Sequence, residues 1–135
     1  MATPTIDLRA PSVTIKFNKG KTLKPVFFYL SPHNAVINLT GYKARMFVYL
    51  NDEATTPIWE LTTENNGLVI TQGTAELADG TQIANAYGVK PQITATQTSA
   101  VTWTSAQFYI ELIEPGNDVL PFLMGTLTPA IEKHQ

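Results

Sequence analysis

The residues able to do acid–base or metal chemistry are few and scattered. General acid–base catalysis favours histidine, or carboxylates held near each other in a cleft. The two histidines, His33 and His134, stand 101 positions apart, and neither has a nucleophile or carboxylate at a useful spacing. The acidic pairs are Asp52-Glu53, Glu60 with Glu64, and Glu111 with Glu114, all in or beside turn-like sequence. Glycoside hydrolysis needs two carboxyl groups roughly 5–9 Å apart across a cleft; solvated carboxylates at strand ends are the plainer reading of these pairs. Calcium takes about six or more oxygen ligands, more than Asn51-Asp52-Glu53 and Asn117-Asp118 supply. The absence of cysteine removes thiolate zinc sites, thiol nucleophiles and disulfides together. Ser12, Ser31, Ser99 and Ser105 lack a nucleophile-elbow context, and the eight glycines fall at turns without a phosphate-cradling pattern. The expectation is a chain with no catalytic residue, no metal site and no cofactor.

Binding chemistry has more material. Trp59, Trp103, Tyr49, Tyr87 and Tyr109 could form a platform on which a sugar ring stacks, with Trp59 and Trp103 its natural centre. Against this, Trp59 lies in phase with Leu61 and is expected to pack in a core, and Trp103 is expected to plug one end of it. Charge is distributed unevenly. Residues 1–25 hold Arg9, Lys16, Lys19, Lys21 and Lys24 against Asp7, a net +4, whereas residues 26–135 hold four basic and ten acidic groups, a net −6. Such asymmetry can steer docking on an acidic partner or head-to-tail self-association; the plainer reading is a strand-turn-strand with lysines on its wet face. The basic stretch lacks interleaved aromatics for base stacking, so nucleic acid is not expected as a partner.

The elements that would position these residues read as β-structure throughout. At 135 residues the chain fits one domain, burying roughly two-thirds of its unfolded surface. Charged residues make up 15%, below the usual roughly 25%, which leaves a polar, weakly charged surface suited to packing against protein. Residues 1–11, with Pro4 and Pro11 and no periodicity, read as an extended arm; residues 12–130 as one domain; residues 131–135 as a short tail. Val13, Ile15 and Phe17 alternate with polar residues as a strand, Lys19-Gly20 turns, and residues 23–30 form the next strand, with Pro25 at its start or edge. Residues 42–50 put Tyr42, Ala44, Met46, Val48 and Leu50 on one face, and Phe47 and Tyr49 on the other suggest partial cover there. Further strands are read at residues 58–62, 68–71, 89–95, 106–114 and 119–128, the last with Leu120, Phe122 and Met124 on one face. Asn65-Asn66-Gly67, Asp79-Gly80 and Pro115-Gly116-Asn117-Asp118 mark turns, and residues 96–103 a single helical turn. About seven to nine short strands with turn signals between them predict an all-β, Ig-like antiparallel β-sandwich with at most one short helical turn. The first residues have no apolar signal-peptide core and no apolar stretch is long enough to span a bilayer, so a soluble protein made in a cytoplasm, without a membrane span, is expected.

The order of features over residues 16–128 resembles small virion domains of tailed phages, including the N-terminal domain of baseplate upper proteins. The resemblance is carried by KFNKGKTLKPVF, NLTGYKARMFVYL, WELTTENNGLVIT, TATQTSAVTW and FYIELIEPGNDVLPFLMGTLT. The sequence departs from that pattern at residues 72–88, which are longer, and at Pro121, which sits where an uninterrupted strand is usual. The resemblance implies a non-enzymatic structural protein of the tail, baseplate or head surface, located in the virion. Its implied partners are other virion proteins and copies of itself, contacted in many copies. With it goes the expectation that residues 1–11 lie on a neighbouring subunit, with Arg9 and the lysines at 16–24 meeting an acidic surface. A receptor- or glycan-binding module using exposed Trp59 or Trp103 is the alternative.

Overall fold

The computed structural model describes residues 12–51 and 53–130, and these form an all-β sandwich. The strands are β1 (Ser12–Phe17), β2 (Phe27–Phe28), β3 (Lys43–Tyr49), β4 (Trp59–Thr62), β5 (Leu68–Glu76), β6 (Gln82–Pro91), β7 (Ala106–Ile113) and β8 (Val119–Pro129); one short helix, α1 (Ala95–Ser99), lies between β6 and β7. A five-stranded sheet has the order β1-β8-β7-β3-β4, and a three-stranded sheet the order β2-β6-β5.

Period-two alternation builds the core. Ala44, Met46 and Val48 of β3 and Phe108, Ile110 and Leu112 of β7 are buried to 1% exposure or less, because residues two apart share a face. Leu68 and Val89 face them from the smaller sheet, and the Phe27 ring stacks on Phe108 with centroids 6.3 Å apart. Asn66 and Asn117 take positive φ in their turns, where asparagine is tolerated better than most residues. The β5–β6 hairpin closes at Asp79-Gly80: Leu77 N–H donates to the Thr81 carbonyl, and Asp79 Oδ1 accepts from Thr81 N–H. Helix α1 starts in a reciprocal capping box between Thr94 and Gln97, which satisfies two end-of-helix donors at once.

The strands expected over residues 68–71 and 89–95 are instead Leu68–Glu76 and Gln82–Pro91, so that most of residues 72–88 belongs to the β5–β6 hairpin. Three further features differ from the sequence reading. First, β1 and β2 are not a hairpin: the turn at Lys19-Gly20 sends the chain from one sheet to the other. β1 pairs with β8 in parallel, the one departure from antiparallel pairing among the described strands. Second, the strand expected over residues 23–30 shrinks to Phe27–Phe28, flanked by single bridges from Leu23 to Ile93 and from Leu30 to Val36. Pro25 has no N–H to extend the ladder. Third, β8 changes phase. Ile110 pairs with Leu123 but Glu111 with Pro121, so Phe122 is an extra residue opposite none, and Phe122 and Leu123 are both buried. Beyond this bulge Leu123, Gly125 and Leu127 face the core while Met124 turns outward, against the expected face of Leu120, Phe122 and Met124. Proline in a strand favours a bulge, and Pro121 stands next to this one. The expected arm, residues 1–11, and tail, residues 131–135, lie outside the described residues.

Two glycines let the N-terminal strands dock. A Cβ at Gly125 would strike the carbonyl oxygen of Val13 on β1 and the Phe108 ring, and one at Gly88 would lie 2.7 Å from the carbonyl oxygen of Phe27 on β2. Backbone atoms cannot yield as a side-chain tip can. Gly125→Ala is therefore expected to lower unfolding stability by about 2–3 kcal/mol in urea denaturation. Gly116→Ala, where a Cβ meets nothing within 4 Å, is the matched control and should change it by about 0.5 kcal/mol or less.

Candidate interaction surface

Among the described residues no group of three or more His, Asp or Glu side chains is placed to hold a metal. Glu64 is exposed, ion-paired to Lys43 at 3.4 Å, and its carboxyl is held below the ordinary range first by its own backbone N–H and then by Lys43. Asp79 is also lowered, chiefly by the backbone N–H of Thr81: it is a turn cap. His33 sits exposed in a loop whose shape is fixed by Ser31, which accepts from the N–H groups of His33 and Ala35. Asp52 and His134 lie outside the described residues. No helix among the described residues is long and apolar enough to cross a membrane.

Trp59 and Trp103 come together, as neighbours of the core. Their rings meet edge to face at 5.8 Å, and Trp103 meets Phe17 edge to face at 5.9 Å. Both are half-buried and packed against the main cluster. β4 positions Trp59 on the inward face opposite Val48. The strandless segment after α1 brings Trp103 over the end of β1. In this edge-to-face pair the edge of one indole covers a face of the other, so the pair is not an open stacked platform. Trp103→Ala is expected to cost about 2 kcal/mol of stability, read from the urea midpoint; a variant of wild-type stability that lost glycan affinity would give the pair back to ligand binding.

The basic residues are displayed. Lys16 points outward from β1, and Lys19, Lys21 and Lys24 lie on the crossover to β2; all four are exposed, and none forms an ion pair within the described residues. Arg9 lies outside those residues. The crossover is anchored from far along the sequence. Thr98 of α1 is fully buried; its Oγ1 accepts from Gly20 N–H at 3.0 Å and donates to the Lys21 carbonyl at 2.8 Å, with the Ala95 carbonyl a further acceptor. One hydroxyl thus fixes the backbone that carries Lys19 and Lys21.

A second surface escaped sequence reasoning in part. On the outer face of the five-stranded sheet, the β3–β7 register sets Phe47 beside Tyr109 and Tyr49 beside Gln107, and the β7–β8 register sets Tyr109 beside Met124. Phe47 and Tyr49 are 6.5 Å apart, Tyr49 and Tyr109 6.1 Å, and the Tyr109 hydroxyl donates to Gln107 Oε1 at 3.2 Å. All four hydrophobic side chains are half-buried. The sequence signal for Phe47 and Tyr49 was legible in their alternation; Tyr109 and Met124 join them only through pairing register and the β8 bulge. Aromatic and methionine side chains, as in this row, are residue types enriched at protein interfaces. A scan against protein-family models finds no match to this chain, and a search of curated proteins finds none either.

Replacing Thr98 by the nearly isosteric valine would leave Gly20 N–H and the Lys21 carbonyl without their partner. Thr98→Val is expected to cost about 1–3 kcal/mol and to speed amide exchange at Gly20, measured by urea denaturation and hydrogen exchange.

Proposed function

We propose that this chain is a structural subunit of a tailed-phage particle, at the tail, baseplate or head surface, working through protein–protein interfaces in many copies. Its partners in this reading are other virion proteins and further copies of itself, its location is the virion, and no step of chemistry is asked of it. The observation that supports the reading best is the outer face of the five-stranded sheet. Phe47, Tyr49, Tyr109 and Met124 form a continuous half-buried row there, and Tyr and Met are among the residues enriched at interfaces. Exposed Lys16 stands on the same sheet's edge strand, with Lys19, Lys21 and Lys24 following. The net −6 of residues 26–135 offers a complementary surface on the next copy. The resemblance carried by residues 16–128 supplies the setting.

Light scattering on the purified protein, alone and with host-derived glycans, tests this. A mass well above the 14.8 kDa of one chain, indifferent to glycan, is expected. Replacing Lys16, Lys19, Lys21 and Lys24 by Glu should return the mass toward one chain; replacing Tyr49 and Tyr109 by Ser should do the same, at a stability cost of about 1–3 kcal/mol from the lost ring contacts. A monomer that binds glycan with a change in Trp fluorescence would replace the structural reading with a receptor-binding module.

A further inference from the structure

The four sheet edges differ in how they are closed. The five-stranded sheet ends on one side at β1, with exposed Lys16, and on the other at β4, which has only four residues and exposed Glu60. In the smaller sheet β2 is two residues long and follows Pro25. Charge, brevity and nearby proline are ordinary ways of keeping an edge from recruiting another strand. β5, the remaining edge, has none of them: it runs nine residues, and residues 68–75 hold no charge and no proline.

The register shows which backbone groups this edge presents. Tyr87 and Val89 of β6 turn theirs toward β2: the Tyr87 carbonyl accepts from Tyr29 N–H, and Val89 pairs with Phe27. Residues directly opposite in an antiparallel pair either exchange hydrogen bonds or both turn away. Across β5–β6 the partners of Tyr87 and Val89 are Gln72 and Ile70, so these two direct N–H and C=O away from β6. Gln92 N–H, donating to the Gly67 carbonyl, sets the same phase from the other end. Among the described residues no strand and no hydrogen bond takes up the Ile70 or Gln72 backbone on that side. The segment before β3 comes near, and a cleft of about 320 Å³ opens between residues 39–42 and residues 70–72.

The free stretch is short and symmetric. At one end Leu68 is buried and Gly67 N–H is bonded back to the Thr62 carbonyl, so the β4–β5 turn adjoins the edge there. At the other end the register shifts between Gly73 and Ala75. Ile70 and Gln72 are left as outward-bonding positions on either side of Thr71. A second β5, laid antiparallel about a twofold axis at Thr71, sets Ile70 opposite Gln72 of the second copy and Gln72 opposite its Ile70. Thr71 then meets its own counterpart, a favourable cross-strand pair. No like charges face each other, because the first charged residue of β5, Glu76, lies beyond the paired stretch. The same edge is present on every copy, and a twofold pair is self-complementary and closed.

We propose that β5 pairs antiparallel with β5 of a second copy about a twofold axis at Thr71, joining the two smaller sheets into one of six strands. This contact is separate from the aromatic row and the lysines of the larger sheet, and it holds whether or not the chain belongs to a virion.

Thr71 gives a direct test, because the chain has no cysteine. In such a non-hydrogen-bonded antiparallel pair the Cα atoms lie roughly 4.5 Å apart, within the span of a disulfide. Full-length Thr71→Cys is expected to become a disulfide-linked dimer on mild oxidation, seen by non-reducing electrophoresis. Thr81→Cys, exposed at the hairpin tip, should stay a single chain. Equal linking of the two variants, or none from Thr71→Cys, would overturn the pair. Gln72→Pro removes an N–H that the β5–β6 ladder does not use, so it should keep the wild-type circular dichroism spectrum while blocking an added strand. It is made in the variant with Lys16, Lys19, Lys21 and Lys24 replaced by Glu, which removes the contact proposed for the lysines. That variant should scatter as two chains, and adding Gln72→Pro should halve its mass. A single-chain mass before Gln72→Pro is added, or a mass that it does not change, would overturn the β5 pair without touching the reading of the larger sheet.

Discussion

Everything in this sandwich depends on one backbone approach: β1 can lie against β8 only because Gly125 has no side chain where the Val13 carbonyl and the Phe108 ring meet. Gly88 does the same for β2 on β6. Between these contacts the chain passes from the large sheet to the small one, carrying Phe17, Leu23, Phe27 and Tyr29 against the shared core. A two-stranded hairpin has little stability of its own, and the smaller sheet adds to the β5–β6 hairpin only the two residues of β2; here it is strapped to its partner by a segment that belongs to both. Side chains at either glycine would separate backbone from backbone, where neither can move aside without breaking the ladder. Thr98 holds the middle of the strap, so a helix of five residues has a structural role out of proportion to its length.

What the sequence made legible follows from how far apart the interacting residues are. The alternation of residues 43–49 and 106–113, the turns at Asn66, Asp79-Gly80 and Asn117, and the helical turn after Thr94 are all local, and period two or turn chemistry specifies them directly. The strap was not legible. A strand followed by Lys19-Gly20 and more apolar residues reads the same whether it folds back as a hairpin or crosses to another sheet. Only the presence of β8, more than a hundred residues later, decides between them. The phase of β8 was hidden for a related reason: Pro121 announces an irregularity but does not say which residue is doubled. The surface was half visible. Phe47 and Tyr49 could be paired from one strand, whereas Tyr109 and Met124 needed the register of three.

The chemistry points the same way as the topology. The ionisable groups that shift toward their charged form do so at turns, Asp79 through the Thr81 backbone and Glu64 through its own backbone and Lys43. Tyr29 shifts the other way, raised first by burial and then by Tyr42 and Glu114; its ring packs edge to face on Phe122 at 5.2 Å. These perturbations come from folding: each belongs to a contact that shapes a loop or fills the space between sheets. The shifted groups stand on separate elements: Tyr29 just after β2, Glu64 in the turn between β4 and β5, and Asp79 in the β5–β6 turn.

The order in which such a frame can assemble follows from loop closure. The β5–β6 and β7–β8 hairpins join neighbours in sequence and can form early, whereas β1 meets β8 only by closing a loop of nearly the whole described chain. The parallel pair therefore adds its stability late, onto a core whose opposite edge is already set by β3 and β4. The close approach itself needs glycine at 125 and 88, where a Cβ would meet backbone of the docking strand. A strap that docks last must meet a surface already shaped to receive backbone. The bulge at Phe122 turns two successive large side chains inward, Phe122 and Leu123, so that β8 fills the core at its own end.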